Sequence, residues 1–272
     1  MDEYRGLALD LRDDGLLLIT IQGRDQVNSL DEDDHLALAR VWRDVSWDPQ
    51  VRAVVVTGAG EAFCGGGNLE MERRSAGDHA RIVQTLEGAR ELVHGIVACD
   101  KPIISAINGP AAGAGLAVAL LADISVVGHD VVLADGHVRI GLAAGDHAAL
   151  IWPLLCGMAR AKRYLLTGQR VDGRTAAEIG LVSMSVERDR VLPEALAMGQ
   201  RLARGPQAAV RFTKRSLNYW LTSALPAFDA SLAMEMVNMF GPDFVEGVDA
   251  FLTKRTPEFR VNEGVDRPGA DT

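Results

Sequence analysis

The stretch IISAINGPAAGAGLAVA, Ile103 to Ala119, decides how the rest of the chain is understood. Ile103, Ile104, Ala106 and Ile107 form an apolar run of strand length, bounded by Pro102 on one side and Asn108-Gly109-Pro110 on the other. A segment of glycines and alanines follows and leads into Leu116-Ala117-Val118-Ala119-Leu120-Leu121, which has helical length and composition. The pattern is strand, glycine-rich turn, helix. The first turn of a helix has N–H groups with no internal partner, and the helix dipole adds partial positive charge there. Such a turn suits a phosphate, a carboxylate or a developing oxyanion, and other parts of the chain must decide among them.

Working outward, Leu7-Ala8-Leu9 and Leu16 to Ile21 flank Asp13-Asp14-Gly15, a hairpin signal. Ser29-Leu30-Asp31-Glu32 has the form of a capping box, and Leu38, Val41, Trp42 and Val45 behind it predict a helix from about Asp31 to Ser46. Val51 to Thr57 predicts a buried strand that Gly58-Ala59-Gly60 ends. Ala62-Phe63-Cys64-Gly65-Gly66-Gly67-Asn68-Leu69 is then a second glycine turn running into a helix, about 45 residues before the first. His79 to Ala98 carries one apolar stripe at helical spacing, and Asp123 to Val127 is a further strand candidate, with the chain changing character after Val131-Val132-Leu133. His137 to His147 is a loop candidate, Ala148 to Leu166 and Gly173 to Ile179 are helical, and Leu181 to Val186 predicts a last strand. Beyond Leu192 no strand pattern appears. Pro193–Arg204, Gln207–Leu221, Phe228–Phe240 and Asp243–Lys254 predict four helices. Alternating strands and helices give an α/β body over 1–200, a helical subdomain over 201–260 and a disordered tail over 261–272.

Bulk properties exclude several classes. Hydrophobic residues make up 48% and charged residues 24%, an ordinary globular balance. A formal charge of −9 without a lysine–arginine run argues against a nucleic-acid partner. Cys64, Cys99 and Cys156 have no metal-ligand spacing, so no metal site is expected from them, and reduced thiols in a cytoplasmic protein are. The acidic N-terminus has no signal-peptide pattern, and no uncharged run has the length of a membrane span. Gly58-Ala59-Gly60 fails as a dinucleotide fingerprint because the third glycine position holds Phe63, and no phosphate-binding GxxxxGK[ST] occurs. Two glycine turns after two strands point instead to two backbone donors meeting one developing negative charge.

Taken together, these motifs resemble the crotonase (enoyl-CoA hydratase/isomerase) superfamily. AFCGGGNL is similar to that family's first oxyanion-hole motif, INGPAAGAG to its second, and RIGL to the segment after it. Leu166-Thr167-Gly168, Ala176, Ala177 and Gly180-Leu181-Val182 match its LTG…A…A…GLV stretch, and Phe251-Leu252-Thr253-Lys254-Arg255 its F-x-x-K-R helix. The resemblance covers nearly the whole chain in order. It implies a spiral of ββα units with a C-terminal helical trimerisation region, and a homotrimer or dimer of trimers. It also implies an acyl-CoA thioester substrate, with CoA as part of the substrate and no separate cofactor.

Carried over residue by residue, the resemblance makes the backbone N–H groups of Gly67 and Ala114 the oxyanion donors, with Gly113 and Gly115 flanking the second. Cys64, Gly65, Gly66, Asn68, Leu69 and Gly145 would border substrate or CoA, and Lys254 would meet its phosphates. Asn68 stands where the family often has Asp. The two hydratase glutamates of the family fall at Ala117 and His137, so neither is present. His137 has a side chain suited to proton transfer near neutral pH, and Asp146 lies nine residues on, near where isomerase- and dehalogenase-type relatives place a carboxylate. His137 and Asp146 are therefore the expected proton-transfer pair, although His137 is equally suited to holding a loop and Asp146 to capping a helix. Cys64 is expected to pack, and His35, His79, His94 and His129 to be solvated. The expected activity is of the enoyl-CoA hydratase/isomerase type with non-standard acid/base residues. The alternatives are a thioester hydrolase or decarboxylase on the same fold, and an acyl-CoA binding protein without turnover.

Overall fold

The computed structural model describes residues 4–259, so the expected tail over 261–272 lies outside the described residues. Its centre is a six-stranded sheet. β1 (Leu7–Leu11) pairs antiparallel with β2 (Leu16–Ile21) across the turn at Gly15, and β3 (Ala53–Gly58), β4 (Ile103–Ile107), β5 (Ile124–Gly128) and β8 (Met184–Val186) follow in parallel. Buried parallel strands are apolar on both faces. In β3 the alternation separates them: Val54 and Val56 face the larger core, and Ala53 and Val55 face a smaller one closed by α8 (Val191–Arg204). The short strands β6 (Val132–Leu133) and β7 (Val171–Asp172) pair with each other, and Leu133 also bridges Ala111 in the parallel sense.

Helices cover the larger face. α1 (Glu32–Trp47) packs on α3 (His79–Ala98), with the short α2 (Leu69–Ser75) between them in sequence, and α4 (Gly113–Leu121) follows β4 directly. Every residue of α4 from Gly115 to Leu121 is buried, so this helix runs through the core. α5 (His147–Cys156), α6 (Met158–Thr167) and α7 (Gly173–Glu178) precede α8, and α9 (Gln207–Asn238) and α10 (Pro242–Leu252) close the described chain. Phe228, Leu232 and Met236 of α9 and Phe244 and Val248 of α10 join the same core as the sheet.

Three expectations are corrected. The cap of α1 is Asp31, whose carboxylate accepts from Asp34 N–H while that of Asp34 accepts from Asp31 N–H. Ser29 donates its hydroxyl to Asp25 instead. Ala148 to Leu166 is two helices, because Gly157 takes φ 82° between them. Conversely, Gln207–Leu221 and the segment from Phe228 belong to one 32-residue helix that continues through Pro226 and ends at Asn238, two residues short of the expected Phe240. A proline inside a helix costs about 3 kcal/mol, yet α9 is held on α3 and α5 and stays continuous. That continuity matters because α9 lies over the functional site.

Candidate active site

The two glycine turns are brought together by asparagines. Asn108, at the end of β4, donates to the carbonyls of Gly58 (3.1 Å) and Gly60 (2.9 Å) and accepts from Gly58 N–H. Asn28 donates to the carbonyls of Ala59 (2.9 Å) and Ala62 (3.0 Å). Backbone bonds from Phe63 N–H to Pro110 and from Ala112 N–H to Cys64 then zip one turn onto the other. Close approach forces glycine at two positions. Gly66 has φ 82°, and a Cβ there would lie 2.8 Å from the Ala112 carbonyl oxygen; one on Gly115 would lie 2.4 Å from that of Cys64.

This juxtaposition sets the backbone of Gly67 and the first turn of α4 along one cavity. Leu30 bridges Gly67 in the parallel sense, donating to Gly66 and accepting from Asn68, so the N–H of Gly67 itself points the other way. α4 begins on Ala112, which has no side chain able to cap it, so Ala114 N–H in its first turn has no helical acceptor. Gly67, Gly113 and Ala114 line one cavity of about 120 Å³, together with His137, Asp146, Glu72 and Glu235. Arg81 and Glu32, paired at 2.9 Å, border it from α3 and α1.

The opposite chemistry comes from four separate segments. His137 opens a short 3-10 helix (His137–Ile140), and its Nδ1 donates to Asp135, 3.0 Å from both carboxylate oxygens. That leaves Nε2 facing the cavity, 3.8 Å from Asp146 Oδ2 and 3.8 Å from Glu235 Oε1. Asp146 caps α5, its Oδ1 accepting from Ala148 N–H, while Oδ2 accepts from His147 Nδ1 at 2.7 Å and faces His137. Glu235 reaches in from α9 and Glu72 from α2.

Electrostatics divide these groups. Burial pulls the His137 pKa down, but Asp135, Asp146 and Glu235 outweigh it and hold the imidazole well above its usual value. Burial raises Asp146, and the neighbouring His147 and His137 overcome this and depress it. For Glu235 and Glu72 burial wins, and both carboxyls are raised. The wall thus sets His137, held toward its protonated form, and Asp146, held toward its ionised form, beside two carboxyls that burial pushes up. One ligand atom each from His137, Asp146 and Glu235 lies within 4.8 Å of the others, close enough for a cation. The proton on His137 Nε2 already supplies positive charge there.

The remaining expected site residues take other places. Asn68 caps α2, accepting from Glu70 and Met71 N–H, and Leu69 is the first residue of that helix. Cys64 is fully buried, with its thiol on the Asn28 carbonyl and its pKa pushed up to about 12 by burial. Gly65 sits against Val27, and Gly145 against the Ser231 carbonyl of α9. Lys254 is exposed after α10, with φ 56°. Ala117 is buried within α4, so no acid or base enters from there. His35 is not solvated; it lines the cavity, and burial lowers its pKa. His94 pairs with Asp229, and His129 with Ser185.

Sequence reasoning missed Asp135, Glu72 and Glu235. For Glu235 a signal existed: it falls in the apolar stripe Phe228, Leu232, Met236, Met239, where a carboxyl is out of place.

Two glycine turns thus face His137, Asp146, Glu72 and Glu235 across one cavity, on a parallel sheet wound with helices. The chain belongs to the enoyl-CoA hydratase/isomerase family, whose model matches residues 12–262. It is 34% identical over 255 residues to a probable enoyl-CoA hydratase of Rhodobacter capsulatus, covering 90% of this chain and 95% of that one. A 1,2-epoxyphenylacetyl-CoA isomerase of Escherichia coli is 28% identical over 90% of this chain and 95% of its own. Among solved structures, an enoyl-CoA hydratase/isomerase from Mycobacterium paratuberculosis superposes with a TM-score of 0.86 at 36% identity, covering 92% of this chain and 99% of that one. The protein is an enzyme of the hydratase/isomerase type. Among the described residues no helix is long and apolar enough to cross a membrane.

Proposed function

We propose that this enzyme relocates a proton along the acyl chain of an acyl-CoA thioester, an isomerase-type reaction. The observation that carries this reading is the 3.8 Å separation of His137 Nε2 and Asp146 Oδ2 on one wall of the cavity that Gly67 and Ala114 border. The thioester oxygen accepts from the Gly67 and Ala114 N–H groups, which stabilise the enolate that forms when a carbon-bound proton leaves. The His137 imidazolium delivers a proton to one carbon of the enolate. Asp146, held toward its ionised form, is the base that has taken the first carbon-bound proton, and its passage to the now neutral His137 across the 3.8 Å gap restores both groups. The two act as one unit that removes a proton at one carbon and returns it at another. With Ala117 buried in α4, water activation by two opposed glutamates has no counterpart on that side.

The same reading takes CoA as part of the substrate. It also makes the chain a homotrimer or dimer of trimers, with exposed Met158 and Leu166 of α6 as contact candidates. Light scattering on the purified protein checks the assembly.

The activity is tested with 2-enoyl- and 3-enoyl-CoA esters in deuterated water, followed by NMR. Movement of the double bond with deuterium entering the chain is the expected result. Net addition of water with a fixed chain would favour hydration, and release of free CoA thiol would favour hydrolysis; either contradicts the reading.

A further inference from the structure

Glu72 belongs to the proton side by chemistry and reaches the anion side by position. A helical side chain tilts toward the N-terminus of its helix, so a carboxyl early in α2 folds back over the turn before it. The N–H of Glu72 donates to the Asn68 carbonyl at 3.0 Å, and its Oε1 lies where a side chain on Gly67 would begin, 2.3 Å from the place of a Cβ. Arg73, the next residue, ties α2 to α10 through Asp249 at 2.7 Å.

No side chain answers that carboxyl. Neighbouring cations are engaged elsewhere: Arg73 on Asp249, Arg81 on Glu32, and His137 through Nδ1 on Asp135. His137 and Asp146 act on Glu72 as charges, and no hydrogen bond to its carboxyl is among the causes that shift it. Glu72 is half-buried and lines the cavity with Gly67 and Ala114. Glu235 differs, because its Oε2 is sealed in the wall, whereas neither oxygen of Glu72 is.

The charge state decides what such a group can do. An ionised carboxylate beside Gly67 would repel an enolate oxygen, whereas a neutral carboxyl has an O–H to give. Burial raises Glu72, the charge of His137 opposes that, and the charge of Asp146 adds to it. The neutral form carries a donor beside the residue that receives the thioester oxygen.

We propose that Glu72 is a further catalytic residue, giving its carboxyl O–H to the thioester oxygen as a third donor beside the Gly67 and Ala114 N–H groups. The proposal rests on the acyl-CoA reading above and deepens it by adding a side chain to the anion site. The proton stays on Glu72 throughout, and the bond strengthens as charge develops on the oxygen. One donor of such a site is worth roughly 10²–10³-fold in kcat.

Isothermal titration with butyryl-CoA and with S-butyl-CoA, the thioether that lacks the carbonyl oxygen, isolates this contact. Exchange of solvent deuterium into 3-butenoyl-CoA, followed by NMR, measures its share in turnover. Wild type is expected to prefer the thioester roughly tenfold or more. Glu72→Gln, which keeps a donor, retains that preference and exchanges within about tenfold of wild type. Glu72→Leu binds S-butyl-CoA as wild type does, loses the thioester preference and exchanges roughly a hundredfold more slowly. If the leucine variant does not fold, Glu72→Met supplies the same comparison with an unbranched side chain. A preference or an exchange rate surviving in the leucine or methionine variant means that the O–H is spent elsewhere, on the Glu235 carboxyl for instance, and overturns the proposal. A glutamine variant as slow as the leucine one also overturns it, by making Glu72 an ionised base. Either result leaves the thioester reading intact. Wild type that binds neither compound, or binds both alike, overturns that reading as well.

Discussion

The two sides of the cavity are built in contrasting ways. The side proposed to hold the anion is backbone: two glycine turns, one tied by the parallel bridge at Leu30–Gly67 and the other opening α4. The proton side is side chain, gathered from the 3-10 helix at His137, the cap of α5, α2 and the middle of α9. Backbone donors do not change when residues around them are exchanged, provided the glycines remain. Side chains can be exchanged singly, and each exchange alters the charge state of the others. Such a division lets one anion site serve different proton chemistries.

Breaking the proton side has the largest expected effect. His137→Ala removes the group that donates from Nε2, and kcat is expected to fall by roughly 10²–10⁴-fold with folding intact, checked by steady-state kinetics and circular dichroism. On the anion side, Ala114→Pro deletes one N–H at a position in the first helical turn where proline is tolerated. A loss of roughly 10²–10³-fold in kcat is expected, with the melting temperature little changed. Unchanged turnover would remove Ala114 from the oxyanion hole.

Gly66→Ala sharpens the comparison by attacking the scaffold of the anion side. The left-handed φ and the approach of the Ala112 carbonyl predict a loss of about 1–3 kcal/mol, measured by denaturant unfolding. The smallest effect is in the pH dependence of stability, and it isolates the proton side. His137 has a raised folded pKa, so its contribution is complete below the unfolded value of about 6.5 and is lost as pH rises through the folded value. Glu235 acts in the same direction from about pH 4.3 upward, being raised as well. Stability is therefore expected to decline from pH 6 to 9, and the slope to flatten in His137→Gln. An identical slope would show that His137 is not held protonated.

The contrast also explains what the sequence made legible. Glycine turns are local: Gly66 and Gly115 are glycines because nothing larger fits, and that requirement is written in consecutive residues. The strands and the stripe of α3 were equally local, and the helix over His79 to Ala98 is found where its spacing puts it. His137 and Asp146 came from resemblance, being close in sequence to the second turn. Glu235 lies almost a hundred residues further along, and only the unbroken course of α9 through Pro226 places it over His137. The apolar stripe around Glu235 marks it as buried, but the packing that keeps α9 whole is tertiary, so its place over His137 is not written locally. The cap of α1 slipped for a related reason: Ser29 and Asp31 are both good caps, and Asp25 engages the Ser29 hydroxyl.

The central claim is that His137 exchanges a proton with an acyl chain held by Gly67 and Ala114. Incorporation of solvent deuterium into a bound acyl-CoA ester, measured by NMR in wild type and His137→Gln, tests it most directly. Rapid incorporation is expected in wild type and a loss of at least a hundredfold in the variant, with ester binding retained. Incorporation at the wild-type rate in His137→Gln would contradict it.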